Sequence, residues 1–481
     1  MSANATASTN QNIESFINHD SIKKIQAELQ TAFPNGIKIS DLVDANGKQY
    51  VSLVQEGGGV LGIALVGFTY ILETMGVRFW RLAGTSAGAI NTILLAAIGN
   101  KQDAKSEQIL MYLTKDKDQL LKFVDGYWIL KPLLKLILNR GSVIKKVVLF
   151  LVAFFALWLI ALVVQVFVPR DFIREFIIIV GIFYLIVIGY ITYLLKRFKR
   201  HKFGLNPGHA FTEWIANILK EHNADTLSRL KAKSYLEAEQ LLNVTHDRKQ
   251  SLSPNSNMEK LIGSDIVLVA CDITTEMKVE FPKNARLYWT DIDSVNPAEF
   301  VRASMSIPFF FEAKSSPPID ARNAETLREW RKINYTGKLP PNALFVDGGI
   351  ISNFPINVFH NPSIKVPRLP TVGVRLGTGT SSYNKNIFKG IPTFIEAIFS
   401  TIRFHFDKDF LVKNNFYDKY VARIDIKGFN WLNFALSKEE KIGLFIKGAE
   451  AARDYLLKFD WEKYKEERAA LYEELYPSAR V

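Results

Sequence analysis

Cysteine is almost absent from this 481-residue chain: Cys271 is the single one. That excludes an intrachain disulfide framework and any cysteine-rich metal centre. The seven histidines (His19, His201, His209, His222, His246, His360 and His405) stand apart in sequence, and neither they nor the carboxylates show metal-ligand spacing. No metal and no other cofactor is therefore expected. The formal charge is +12, from 60 basic against 48 acidic residues. It comes without a basic helical repeat, a zinc pattern or an aromatic–basic RNA motif, so nucleic acid is not an expected partner. Met1–Gln11 is rich in Ser, Ala, Asn and Thr and has no apolar core. It reads as a disordered lead-in, neither a signal peptide nor an anchor. There is no internal repeat, and nothing names a protein partner.

What the chain does have is apolar bulk: 48% of residues are hydrophobic and 12% aromatic. Wholesale disorder and a minimal scaffold are excluded, and the length allows about three domains or one large domain with insertions. A mean hydropathy of +0.04 is high for a chain that is 22% charged. The excess lies between Val147 and Leu195. Val147–Val168 is uncharged, with Gln165 its only strongly polar member, and Phe176–Leu195 is a second uncharged run. As helices the two would reach about 33 and 30 Å, enough to cross the hydrocarbon core of a bilayer. Their connector, 169–175, carries two basic and two acidic residues. The outer flanks are basic: Lys145 and Lys146 on one side, and Lys196, Arg197, Lys199, Arg200 and Lys202 on the other. Such flanks predict a membrane hairpin with both outer ends on the cytoplasmic side. The alternative is a pair of buried core helices.

Elsewhere strand-like and helix-like stretches alternate. A first helix is expected over about Ile13–Phe33. Tyr50–Gln55, Val77–Ala83, Ile266–Ala270, Leu344–Val346 and Thr371–Arg375 read as strands. Helices are expected to about Met75, over Ala87–Ile98, and after Pro207-Gly208 with Phe211, Trp214, Ile215, Ile218 and Leu219 on one face. Asp247–Lys260 and Ser315–Pro341 read as surface excursions. The last hundred residues are mostly helical, with a capping box at Ser437 and Glu440. This rhythm predicts an α/β fold with a central, mostly parallel sheet.

Three glycine-bearing turns follow predicted strands, where open α/β sheets place their ligands. Gly57-Gly58-Gly59-Val60-Leu61-Gly62 could aim backbone N–H groups at an anion. It also fits G-x-G-x-x-G, but a dinucleotide site wants an acidic residue about 20 positions on. Thr74–Asn100 contains none. Gly84-Thr85-Ser86-Ala87-Gly88 fits the G-x-S-x-G elbow, in which small residues flank a serine on a tight strand-to-helix turn. Asp347-Gly348-Gly349 follows Leu344-Phe345-Val346. A lone aspartate there is either a turn-former or a base for the serine, and His360, just beyond it, is the least implausible histidine for that role.

The ordered set of glycine turn, serine elbow and Asp-Gly-Gly resembles the patatin-like phospholipases. Arg302–Phe310, Asn353-Phe354-Pro355 and Ile266–Thr274 resemble further stretches of that family. The likeness runs from about Tyr50 to Gly377, and Phe434–Leu457 looks like helical tails of bacterial members. The resemblance implies a patatin-like layered fold and a carboxylic ester hydrolase of phospholipase A or lysophospholipase type. Ser86 would be its nucleophile and Asp347 its base. Gly57, Gly58 and Gly59 would form the oxyanion hole, with Gly62, Gly84, Gly88, Gly348 and Gly349 as motif glycines. This sequence has Leu61 where many bacterial members carry Arg or Lys, and the hairpin falls inside the region of the family's variable cap.

The organisation implied is a lead-in and helix over 1–49 and a first catalytic part over 50–140. A hairpin insertion over 141–202 follows, with spans at about 147–168 and 176–195. A second catalytic part covers 203–380, and a helical region 381–481. Membrane lipids would be both substrate and anchor, with the catalytic domain on the cytoplasmic side. Two alternatives stay open: transacylation or neutral-lipid hydrolysis on the same fold, and a non-catalytic membrane scaffold.

Overall fold

The apolar runs read as strands build the spine of a twisted sheet. The computed structural model describes residues 12–116, 118–125, 141–168, 170–239, 243–244, 250–251, 266–362, 364–377 and 391–475. The lead-in Met1–Gln11, His246 and most of the polar stretch 247–260 lie outside the described residues. Two compact units are distinguished. The larger is built from Met1–Phe123, His209–Ser306 and Lys314–Val481, the smaller from Val124–Gly208 and Ile307–Ala313.

The larger unit contains β1 (Leu42–Val43), β2 (Gln49–Gln55) and β3 (Val77–Thr85). A short pair, β4 (Gly204–Asn206) with β9 (Phe309–Phe311), belongs to the smaller unit. The large sheet continues with β5 (Asn243–Val244), β6 (Gln250–Ser251), β7 (Ile266–Asp272), β8 (Met277–Phe281), β10 (Lys314–Ser315), β11 (Leu344–Asp347), β12 (Thr371–Leu376) and β13 (Val421–Ile424). β7, β3, β2, β12 and β13 are neighbours in that order and all parallel. β11 and β8 both pair antiparallel with β7. The expected mixed α/β class with a mostly parallel sheet is what the chain adopts. Direction was missing from the short Leu344–Val346 run, which turns out antiparallel.

Helices cover both faces. α1 (Asp20–Ala32), α2 (Gly62–Thr74), α3 (Ala87–Ala97) and α4 (Ser106–Thr114) precede the smaller unit. The expected single helix over Ile13–Phe33 is interrupted before Asp20, where the His19 ring nitrogen accepts the Ser21 N–H and caps α1. The smaller unit holds α5 (Gly141–Phe167) and α6 (Asp171–Arg200). The larger continues with α7 (His209–Glu221), α8 (Leu227–Glu239), α9 (Ala298–Ser304), α10 (Ala324–Lys332), α11 (Ile391–Lys413), α12 (Asn415–Lys419), α13 (Lys438–Lys458) and α14 (Trp461–Leu475). α10 lies inside the Ser315–Pro341 stretch expected to be a mere excursion; Asn323 caps it and Trp330 pins it into the core.

α2 and α13 approach at their glycines. A Cβ on Gly448 would sit 1.8 Å from Ala64 O, and one on Gly67 2.0 Å from Phe445 O, so only glycine lets these backbones touch. The opposite face of the sheet is closed by Val54, Ala83, Val267 and Val269 against Phe416, Tyr420, Trp461 and Tyr464. The capping box at Ser437 and Glu440 is present at the start of α13.

In the smaller unit, α5 and α6 pack along each other. Trp158 Nε1 donates to Ile177 O at 2.9 Å and the Tyr184 hydroxyl to Leu151 O at 2.7 Å. Both helices are long and apolar enough to cross a membrane by length and composition. Their outward residues, among them Leu149, Val166, Ile179 and Leu185, are exposed.

Candidate active site

The serine turn is sharp because its neighbours are glycines. Ser86 sits between the end of β3 and the start of α3 with φ 54° and ψ −118°, a conformation that costs a non-glycine residue about 1–3 kcal/mol. A Cβ on Gly84 would lie 2.3 Å from the Gly88 carbonyl, and one on Gly88 2.5 Å from Gln55 O. Gly84 thus lets the Gly88 backbone pass, and Gly88 lets the end of β2 pass. Ser86 N donates to Ser304 Oγ at 3.0 Å, and that hydroxyl donates to Val269 O at 2.6 Å. Ser86 Oγ donates to Met305 Sδ at 3.2 Å. The serine is 4% exposed.

Asp347 ends β11 and is also buried. Its N–H donates to Ser306 O at 2.8 Å, and its Oδ1 accepts the Gly349 N–H at 2.7 Å. Gly348 lies against Val269, where a Cβ would fall 2.2 Å from the carbonyl oxygen.

Strand pairing explains how the two motifs, far apart in sequence, come together. β3 pairs with Ile266–Val269 of β7, ending with Thr85 opposite Val269. β11 pairs with Ala270–Asp272, ending with Asp347 opposite Ala270. β8 occupies the other edge of β7 over Leu268–Asp272. A strand has two edges, so β3 and β11 share one and meet end to end. The residues opposite their tips, Val269 and Ala270, are consecutive, a step of about 3.3 Å.

The glycine loop borders the same point. A Cβ on Gly57 would lie 3.0 Å from Ser86 Cβ and 3.1 Å from Thr85 O. Gly57 and Asn353 hold each other: Gly57 N–H donates to Asn353 O at 3.0 Å and Asn353 Nδ2 to Gly57 O at 3.1 Å. Val60 N–H goes to Trp431 O and Leu61 N–H to Gly58 O. Among the described residues, the N–H groups of Gly58 and Gly59 meet no protein acceptor. Gly59 has φ +57° and its Cβ would meet Trp431 O at 2.3 Å, while one on Gly58 would meet Leu376 Cδ1 at 2.3 Å. Gly62 faces Ala87, 3.3 Å from Cβ to Cβ. Leu61 is buried in the core.

A narrow apolar pocket, with about 30 Å³ of room, lies between α2, α3 and α4. Ile63, Val66, Ile90, Ile109 and Leu113 line it, with Gly59 and Met305 beside them. Its walls are apolar, as a site for an alkyl chain requires.

Three further residues organise the site: Ser304 and Met305, inside the Arg302–Phe310 stretch but with no role expected of them, and Asp407, outside every stretch singled out. Ser304 and Met305 follow from α9 packing beside β7. Asp407, on α11, accepts from Ser352 Oγ at 2.7 Å and from Phe354 N–H at 2.8 Å. It thereby clamps the segment that carries Asn353, and Ser352 O accepts from Thr85 Oγ1 at 3.0 Å. Burial pushes the Asp407 carboxyl up to about 6 against these hydrogen bonds.

Three of the described histidines are engaged elsewhere. His360 Nδ1 lies 2.8 Å from the Tyr417 hydroxyl, and burial, with Arg468 adding, pushes its ring down to about 4. His222 contacts Tyr112 and Gln108, and His201 contacts Glu312. The Cys271 thiol is pushed up to about 11 by burial and by Asp272 and Asp347, so it stays protonated and is no rival nucleophile.

A family model described as patatin-like phospholipase matches residues 53–360, a span that contains all three glycine turns. The "Uncharacterized protein YqhO" of Bacillus subtilis (strain 168) is 25% identical over 407 residues, 85% of this chain and 98% of that protein. VipD from Legionella pneumophila, a solved structure, aligns over 88% of this chain and 71% of its own at 13% identity and a TM-score of 0.33. That score is too low to carry any inference. Matched over well more than half its length, with the elbow and Asp-Gly-Gly turn inside the match, the chain belongs to the patatin-like phospholipase family.

Proposed function

We propose that the protein is a membrane-anchored serine lipid acyl hydrolase working through a Ser86–Asp347 dyad. Its family supports lipid acyl hydrolysis; the dyad and the anchor are the finer reading. The observation that carries the dyad is the shared edge of β7, which brings the tips of β3 and β11 onto consecutive residues. Ser86 Oγ attacks the ester carbonyl carbon and its proton passes to the Asp347 carboxylate. Met305 Sδ is a weak acceptor, so turning the hydroxyl away from it costs little. The N–H groups of Gly58 and Gly59 stabilise the oxyanion, with Gly57 giving close approach. The ester C–O bond breaks, and the leaving alcohol takes the proton from Asp347. Water, giving a proton to Asp347, then attacks the acyl-serine; the Oγ–C bond breaks, Ser86 Oγ takes that proton back, and the fatty acid is released. The acyl chain enters the apolar pocket of Ile63, Val66 and Leu113, which widens to take it.

α5 and α6 form the membrane hairpin, and the basic flanks after Leu195 favour a cytoplasmic catalytic domain. The five-part organisation, with 141–202 inserted between two catalytic segments, belongs to the same proposal. The test is fluorophosphonate labelling of the purified protein alongside product analysis on defined phospholipids. Labelling that depends on Ser86, with fatty acid released, supports the reading. Undiminished labelling and turnover in Ser86→Ala would overturn it, and acyl transfer to a lipid acceptor in place of water would make it a transacylase.

A further inference from the structure

Two phenylalanines stand outward in the smaller unit where nothing in its own core calls for them. Phe203 is 52% exposed and Phe309 68%. Both have positive φ, +60° and +66°, and Lys202 beside them has +47°, a backbone state that β-substituted residues avoid. A strand pair imposes this placement. β4 and β9 run parallel with Gly204 opposite Phe309 and Asn206 opposite Phe311. Asn206 Nδ2 donates to Phe310 O at 2.8 Å. A Cβ on Gly204 would fall 2.1 Å from Glu312 N, so glycine permits the contact. Phe198 of α6 joins the two rings, stacked on Phe309 at 6.2 Å and edge-on to Phe203 at 5.9 Å.

Charge surrounds this aromatic cluster. Lys196, Arg197, Lys199, Arg200 and Lys202 fall within seven residues. The acid on the facing segment, Glu312, lies 3.1 Å from His201. The cluster also begins where the apolar run of α6 stops, at Leu195. Phe198 is three residues further, about 4.5 Å along a helix, which is the depth of a headgroup region rather than of free water. Rings at a bilayer boundary combined with clustered cations are the pattern that recognises an anionic leaflet.

We propose that the β4–β9 pair and the last turns of α6 form an interfacial surface that binds anionic lipid headgroups, with Phe203 and Phe309 as its ring anchors. This rests on the hairpin reading above and adds a lipid preference to it. Substrate held by this surface is presented at an anionic leaflet, so turnover of bilayer lipid depends on leaflet charge while turnover of a small soluble ester does not.

The experiment uses the full chain with Phe309→Cys or Phe203→Cys, labelled with bimane, and the unsubstituted protein as the control for buried Cys271. It is reconstituted in phosphatidylcholine vesicles with or without phosphatidylglycerol. Doxyl groups shallow on the acyl chain should quench the label more than deep ones, and iodide should quench it weakly. Iodide quenching equal to that of a label at exposed Lys332→Cys would overturn the proposal. So would a label shielded from iodide yet untouched by doxyl lipid, which would mean a protein cover. In parallel, Lys199→Gln with Arg200→Gln and Lys202→Gln should reduce the rate gain from phosphatidylglycerol by about fivefold per cation. Soluble-ester hydrolysis should stay at the wild-type rate. An undiminished gain would overturn the proposal. Alkaline carbonate separates the two readings: a chain that resists extraction but shows no lipid contact at Phe309 refutes this surface alone. A chain that is extracted by carbonate refutes the hairpin, and this surface with it.

Discussion

Replacing Asp407 separates two roles for one buried carboxylate. It accepts from Ser352 Oγ and from Phe354 N–H, and it is 4% exposed. Asp407→Ala strands a buried hydroxyl and a buried N–H. At about 1–3 kcal/mol each, the expected loss is about 2–6 kcal/mol. Asp407→Asn behaves differently. Its Oδ1 can still accept from Phe354 N–H while Nδ2 donates to Ser352 Oγ, whose proton rotates away, at a cost of about 1 kcal/mol.

The carboxylate itself is costly to keep charged. Burial foremost, and Glu56 in addition, push it up to about 6 from 3.8, with Lys278 and the two hydrogen bonds opposing. Because the folded value lies above the unfolded one, the folded chain binds this proton more tightly between the two. The group therefore adds stability as pH falls through 6 and removes it as pH rises. A shift of about two units corresponds to about 3 kcal/mol. Asparagine, lacking the charge, should escape that cost. At pH 8, Asp407→Asn should be as stable as the wild type or up to about 2 kcal/mol more stable, and that advantage should shrink as pH falls through 6 and be gone by about pH 4. Asp407→Ala should be destabilised throughout and should lose kcat through the loosened Asn353 segment. Thermal melts of the detergent-solubilised protein across pH, with soluble-ester kinetics, decide this. Equal losses in Asn and Ala at pH 8 would refute the burial argument, and a wild-type melt in Ala would refute the clamp.

Ser86→Ala and Asp347→Asn should each abolish ester hydrolysis, and the double variant should be no worse than either, because the two act as one unit; His360→Ala should retain most activity, since its ring is bonded to Tyr417. Gly57→Ala places a methyl 3.0 Å from Ser86 Cβ and should lower kcat by about 10²-fold with little change in KM; a rise in KM alone would assign the loop to substrate binding. Val66→Phe should fill the cleft and lower kcat/KM for long-chain esters by about tenfold relative to short ones, read from a series of acyl chain lengths. Deleting Val147–Leu195 with a short Gly/Ser bridge should give a soluble protein that hydrolyses a small ester but loses most activity on bilayers; loss of both through unfolding would make the two runs core helices.

The strands at Tyr50, Val77, Ile266, Leu344 and Thr371 were legible because each is a continuous apolar run bounded by turn residues. Their hydrogen-bonding partners were not. A short apolar run carries burial but no direction, so the antiparallel setting of β11 waited for the fold. β8 has partly exposed alternate residues, and its Met277–Phe281 stretch was not singled out from sequence. Ser86 and Asp347 announced themselves through glycines whose missing side chains are a local steric demand. Ser304, Met305 and Asp407 make their contacts only once α9 and α11 pack, and no spacing encodes that. Gly57 shows the limit most clearly. Its place in the loop was readable, but the commitment of its N–H to Asn353 O depends on a segment almost three hundred residues away.

The shared edge of β7 also bears on why a carboxylate would suffice where many serine hydrolases add an imidazole. In a triad the ring spans the gap between a serine and an acid carried on separate elements, and the acid must orient it. Here the two strand tips abut on Val269 and Ala270, so sheet hydrogen bonds set their spacing. Ser304 braces the same point from the side, taking the Ser86 N–H and giving its own proton to Val269 O. Asp347 N–H is tied to Ser306, two residues further along that chain segment. In the proposed chemistry, then, backbone bonds to one short stretch of β7 and α9 perform the orienting that a histidine relay would otherwise need. What the site gives up is a base whose ordinary pKa lies near neutrality. A carboxylate with a lower ordinary value can replace it only where the attack geometry is held tightly, and the strained elbow at Ser86, locked by Gly84 and Gly88, is how this chain holds it.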